Sequence, residues 1–206
     1  MKTKILNLAS RRTVLNFAII SLVAFGFASC EKEDMTVPEA PQASNKAIME
    51  NLKGAPAKGS ESIAEIAIGA GFNELVSALS YVDTELNAGL VDLFLNGKDQ
   101  YTVFAPTDEA FKNLYSAFKI DAITDLPAEL VLDVLLYHVT EGRRASNSVV
   151  PPQNIRSIET LFGKSFSVDS KGMITTPGST AFILTPDISA SNGIIHIIDT
   201  VLLPIE

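Results

Sequence analysis

The sequence predicts an α+β domain, and two observations carry that prediction. Between residues 62 and 95 apolar side chains recur at helical spacing, whereas from Arg143 onward short alternating runs are cut by turn residues. Helices first and strands last is the order expected when helices segregate against a largely antiparallel sheet. No internal repeat interrupts this division.

The elements follow in order. Residues 62–81 (SIAEIAIGAGFNELVSALSY) read as helix, with Ile63, Ile66, Ala67 and Ala70 on one face and Leu75, Val76 and Leu79 resuming after a break at Gly69–Gly71. A second helical run over residues 86–95 stops at Asn96-Gly97, a natural terminator. Residues 101–111 (YTVFAPTDEAF) then read as a strand that turns at once into a helix. Tyr101, Val103 and Ala105 alternate with Thr102 and Phe104, as in a strand packed on both faces. Pro106 ends the ladder, Thr107 can cap the new helix, and Asp108 and Glu109 suit its positive end. Residues 126–138 form the next helix, with Pro127 near its first turn and Leu132, Leu135 and Leu136 directed inward.

In the second half, residues 166–168 and 173–175 flank Asp169-Ser170-Lys171-Gly172, which reads as a hairpin turn. Residues 180–184 and 193–199 supply two more strands. The last is entered through Asn192-Gly193, with Ile194, His196 and Ile198 on one face and Ile195, Ile197 and Asp199 on the other.

Three of these segments, residues 101–111, residues 135–139 (LLYHV) and residues 192–204 (NGIIHIIDTVLLP), closely resemble the fasciclin (FAS1) family in order and spacing. With the opening helix, the resemblance spans nearly all of residues 60–206. It implies the FAS1 fold, a β-sandwich or wedge of mostly antiparallel strands with helices packed against it. It also implies a secreted or surface-attached adhesion and binding module, carried here as a single unit, and it does not name the ligand. In animal members the Tyr-His segment and the segment before the last signature are implicated in integrin binding. Here these match Tyr137-His138 and residues 185–188, so Tyr137, His138, Asp187 and Ile188 are the candidate partner-binding residues. Tyr137 and His138 lie beside a leucine-rich helix, where packing is the weightier reading. Asp187 and Ile188 are expected in an accessible loop.

The first 29 residues read as a lipoprotein signal peptide. Lys2, Lys4, Arg11 and Arg12 precede an apolar run over residues 14–27 that is too short to span a bilayer. The run ends in Phe27-Ala28-Ser29-Cys30, which resembles a bacterial lipobox and makes Cys30 the expected lipid attachment site. The usual Leu is replaced by Phe27. Cys30 is the only cysteine, so no intramolecular disulfide can form. Residues 30–59 then read as a Pro-containing tether, with at most a marginal helix over residues 46–53. Glu31-Lys32-Glu33-Asp34 resembles the acidic stretch of surface-displayed bacterial lipoproteins, although an acidic linker is also simply well solvated. Export by general secretion is expected, with the adjacent arginines leaving the twin-arginine route open. An outer-membrane lipoprotein exposed at the cell surface is expected, with a periplasm-facing placement as the alternative.

After cleavage the chain would hold 12 basic and 24 acidic residues, a net charge of −12. Such a surface argues against nucleic acid and against adsorption to anionic lipid. The membrane partner is therefore the covalent lipid on Cys30, and the macromolecular partner an extracellular protein or polysaccharide. With no exposed apolar stripe visible, a monomer is expected. His138, closing a helix, can satisfy its last carbonyls, and His196 among isoleucines reads as a core histidine bonded to backbone. No converging ligands suggest a metal, no cofactor motif is present, and no nucleophile elbow or phosphate loop appears. An enzyme is not expected; a hydrolase with an unrecognised carboxylate site ranks last.

Overall fold

The computed structural model describes residues 56–205, so the signal, Cys30 and the tether up to residue 55 lie outside the described residues. Seven strands make one sheet in the order β2-β1-β7-β6-β5-β4-β3. Their ranges are β1 Tyr101–Pro106, β2 Val139–Glu141, β3 Arg156–Glu159, β4 Ser165–Val168, β5 Met173–Thr175, β6 Thr180–Ala190 and β7 Gly193–Ile198. Every neighbouring pair is antiparallel except β1 and β7, which run parallel from Tyr101 opposite Gly193 to Pro106 opposite Ile198. The fold is α+β, as the sequence predicts.

The helices are α1 Ile63–Gly69, α2 Asn73–Leu86, α3 Leu90–Asn96, α4 Asp108–Phe118, α5 Ala128–Tyr137 and the short α6 Ser146–Val149. Ser62 opens α1 with a reciprocal capping box to Glu65. Thr107 caps α4 by accepting from the Ala110 amide at 3.2 Å, as expected. Two boundaries differ from the sequence reading. The second helical run begins at Leu90, because α2 continues to Leu86 and Asn87 ends it in the left-handed conformation. The helix expected from residue 126 starts at Ala128, with Pro127 outside it and a separate 3₁₀ turn at Ile123–Asp125. Within α5 it is Val131 and Leu135 that are fully buried, while Leu132 and Leu136 are half-buried.

Aspartates from neighbouring elements satisfy several helix N-termini. Asp83 of α2 accepts from the amides of Leu90 and Val91 at 2.8 Å, opening α3. Asp108 begins α4 but also accepts from the Glu74 amide at 3.0 Å, supporting the start of α2. Free N–H groups there have no intrahelical acceptor, and a carboxylate supplies one together with a charge suited to the helix dipole.

The alternation in β1 separates two cores. Val103 and Ala105 enter a large cluster with helix residues such as Leu75, Val82, Phe111 and Leu135. Phe104 enters a second cluster with Tyr137, Ile158, Phe166, Ile174 and Ile198. In a flat sheet β1 and β4, four places apart in the strand order, would be separated by about 19 Å. The rings of Phe104 and Phe166 instead meet edge to face at 5.0 Å. The sheet is therefore folded over upon itself, and the fold follows β6, whose pairing with β7 slips between Ile183, Thr185 and Ile188. Where the chain turns from β6 into β7, a Cβ on Gly193 would collide with the Tyr101 carbonyl oxygen, so only glycine fits the parallel pair.

Candidate functional site

Tyr137 and His138 are joined to the second core and to the C-terminal segment. Tyr137 has no exposed surface, packs against Phe162 and Phe166, and donates its hydroxyl to the Ser165 carbonyl at 3.1 Å. His138 is 3% exposed; its Nδ1 is 2.7 Å from the Val134 carbonyl and its Nε2 accepts from the Leu202 amide at 2.9 Å. That pair of contacts fixes the neutral tautomer with the proton on Nδ1. Burial pushes its pKa down to about 4, against a smaller upward pull from the Val134 carbonyl. The imidazole thus satisfies the end of α5 without carrying charge. Tyr137 offers no surface to a docking partner, and His138 only a sliver of its ring, at the wall of an apolar crevice between α4 and α5.

Asp187 and Ile188 do not lie in a loop. The strand expected over residues 180–184 continues to Ala190 as β6, and both residues sit half-buried in its bulged portion. Asp187 adopts φ +66°, a conformation open to aspartate. Its carboxylate accepts from the Ser146 amide at 2.7 Å and from the Ser146 hydroxyl, capping α6. Its own amide donates to His196 Nδ1 at 3.2 Å, and His196 Nε2 donates to the Arg144 carbonyl at 2.9 Å. His196 is fully buried and its pKa is lowered by that burial. It is the backbone-bonded core histidine the sequence suggests. Ile188 packs against the larger core, and in this stretch Thr185 and Pro186 are the exposed residues.

These segments communicate only through packing. Tyr137 touches Phe166, Phe166 touches Phe104, and Phe104 lies 5.4 Å from the His196 ring. The His196 ring thus lies against the second core, whereas the His138 ring faces cavities walled by the larger one, and each is committed to backbone partners. Among the described residues, no group of three or more His, Cys, Asp or Glu side chains converges as metal ligands would. Asp108, singled out with Glu109 as a helix-start acid, has its oxygens engaged by Glu74 and Asn73.

Sequence reasoning missed one buried anchor, one half-buried clamp and one surface. Asn192, 4% exposed, accepts from the Ile63 amide at 2.8 Å and donates to the Phe94 carbonyl at 2.9 Å, tying α1 and α3 to the start of β7. Arg143 donates to the carbonyls of Ala190 and Gly193, to Ser189 Oγ, and to Pro56 and Ala57, clamping the entering segment onto the β6–β7 turn. The surface is an apolar crevice between α4 and α5. It includes Leu114, Phe118, Leu130 and Val134, and continues into a groove of about 380 Å³ between α4 and the C-terminal segment. Phe118 is 52% exposed and Ile205 46%, so exposed apolar mass does exist here. A second concavity is polar, with Glu141, Arg144, Glu159 and Thr160 around a volume of about 340 Å³.

The architecture defines an α+β domain whose helices cover one face of a sheet folded around a second core. More particularly, the chain belongs to the fasciclin family: the Fasciclin domain profile matches residues 70–204. It is 34% identical over 142 residues to the uncharacterized protein sll1735 of Synechocystis, covering 68% of this chain and 96% of that one. It is 34% identical to immunogenic protein MPB70 of Mycobacterium bovis, with 68% of each chain covered. Transforming growth factor-beta-induced protein ig-h3 of Sus scrofa is 32% identical over 114 residues, which span 55% of this chain but 16% of ig-h3. A FAS1 domain pair from the insect cell adhesion molecule Fasciclin I superposes with a TM-score of 0.46 at 19% identity, over 63% of this chain and 45% of that structure.

Proposed function

We propose that this chain is a lipid-anchored binding module of the cell envelope, displayed at the surface, which attaches cells to a matrix protein or glycan by non-covalent contacts. The observation that carries the reading is the fasciclin profile over residues 70–204, read together with the lipobox-like Phe27-Ala28-Ser29-Cys30 upstream of it. Acyl chains on Cys30 would hold the protein at the membrane, each buried methylene contributing about 0.8 kcal/mol. The tether would hold the domain roughly 25–30 Å from the bilayer on average. One domain offers one contact, so strength would come from many copies on one membrane. Since Tyr137 and His138 are enclosed, contact would fall to the exposed parts of the domain, among them Thr185 and Pro186 beside Asp187. Asp83, Asp108 and Asp187 are accounted for by helix starts, which favours binding over hydrolysis at those positions.

Protease shaving of intact cells tests this, with Cys30→Ala as the anchoring control. Loss of the domain from intact cells, and release of the Cys30→Ala protein into soluble fractions, is the expected result. Protection until the outer membrane is broken would instead favour a periplasm-facing accessory lipoprotein that binds a partner within the envelope. A panel of matrix proteins and glycans follows with purified residues 31–206.

A further inference from the structure

We propose that the crevice between α4 and α5 is a docking site for a cationic amphipathic helix of a partner protein. This rests on the reading of the domain as a binding module and not on the lipid anchor. Three observations converge on the crevice.

The first is chemical. Its walls are almost wholly carbon, and two large apolar side chains, Phe118 at 52% and Ile205 at 46% exposure, stand beside it. Single exposed apolar residues are ordinary, but two of them flanking one concavity make a receptacle for an apolar side chain.

The second is electrostatic. Residues 60–138, which supply most of the crevice, contain thirteen acidic and three basic residues, whereas residues 139–205 contain five of each. Exposed Asp121, Asp125 and Glu129 interleave with residues lining the crevice, and Lys119 is the cation nearest to them in the chain. An apolar slot rimmed by carboxylates complements a helix that carries Leu or Phe on one face and Lys or Arg beside it.

The third is positional. Arg143 secures Pro56 and Ala57 at the end of the sheet where β1 and β7 begin. The crevice lies at the other end, beside Pro106 and Val201. Six paired residues separate the two ends, about 17 Å of strand. The slot therefore opens away from the point at which the chain enters the domain.

The probe is a fluorescein-labelled 14-residue peptide with Leu or Phe at i, i+3, i+7 and i+10 and mostly Lys or Arg between, titrated by anisotropy with residues 31–206. Two controls replace the cations by Glu or the apolar anchors by Ser. The basic amphipathic peptide should bind at least tenfold more tightly than either control. Phe118→Asp should weaken it at least tenfold while leaving the melting temperature unchanged. The double variant Asp125→Asn with Glu129→Gln should weaken it severalfold and flatten its salt dependence. Equal binding of the Glu peptide, undiminished binding by both variants, or no binding of any peptide would overturn the proposal. So would self-association of the chain that Phe118→Asp abolishes, because the occupant would then be a second copy. If a matrix ligand binds wild type and Phe118→Asp alike while the peptide does not bind, this surface is wrong and the module reading stands.

Discussion

The two cores of this domain are made from different kinds of contact. The larger is helical on one side: α1, α2, α4 and α5 each present an apolar stripe to Val103, Ala105 and Ile195. The smaller lies within the fold of the sheet itself, where Phe166 meets both Phe104 and Tyr137 edge to face with β-branched neighbours around them. Helices that follow one another can start to assemble the first from nearby residues. The second exists only when strands far apart in the sheet order come together. The difference shows why β1 is so demanding a strand: consecutive side chains must satisfy two environments that form by different routes.

The strongest way to break this comparison is Phe104→Ala. It should cost about 3–5 kcal/mol, since it removes a fully buried ring and leaves a cavity that the folded sheet cannot easily close. Chemical denaturation measures the cost. Hydrogen exchange tells whether the cores open together: coincident loss of protection in α2 and β4 marks one cooperative unit. Separate opening of β3 to β5 with α2 still protected would show that the second core stands alone.

Acid sharpens the comparison through His138, which joins the helical layer to the segment beyond β7. Its folded pKa, near 4, lies below the usual 6.5, so the unfolded chain takes up the proton first. This contribution is complete above about pH 6.5 and is lost as pH falls toward 4, amounting to roughly 3 kcal/mol. His138→Gln should be less stable at neutral pH and show a flatter melting temperature between pH 7 and 4.5. An unchanged pH slope would sink this assignment. His196 should contribute in the same direction.

Asp187→Ala probes the bulge that lets the sheet fold over. It removes both acceptors for Ser146 and places alanine at φ +66°, so a loss of about 1–2 kcal/mol is expected. Asp187→Asn should recover part of it. Thr107→Ala, a cap on the helical side, should cost about 1 kcal/mol with no effect on exchange in β3 to β5.

Much of the helical half could be read from the chain because its signals are local. Pro106 followed by Thr107 marks a strand end and a helix cap within two residues, and Gly71, at φ +79°, marks the break between α1 and α2. The hairpin of β4 and β5 was equally legible, with Asp169 accepting from the amides of Lys171 and Met173 as an Asx turn. Less could be read where tertiary pairing decides. β2 and β3, at three and four residues, are too short to show a period. In β6, Pro186 and the positive φ of Asp187 interrupt the alternation, so a continuous strand looked like a strand followed by a loop. The Tyr-His pair was visible as a motif, but its enclosure depends on Ser165 and Leu202, which lie far along the chain. The α4–α5 crevice was invisible for the same reason: Phe118 and Ile205 become neighbours of one cavity only after the C-terminal segment returns across the helices.

The parallel pairing of Tyr101–Pro106 with Gly193–Ile198 sets an order on events during synthesis. A nascent chain ending before Gly193 holds β1 beside only the three residues of β2, with the other edge of the strand bare. Closing a loop of that span costs entropy that no intermediate pairing with β7 can offset in advance. The middle of the sheet is thus completed only once residues 193–198 have been made, long after β1 itself. Until then one edge of Tyr101–Pro106 stays open to whatever strand it meets first.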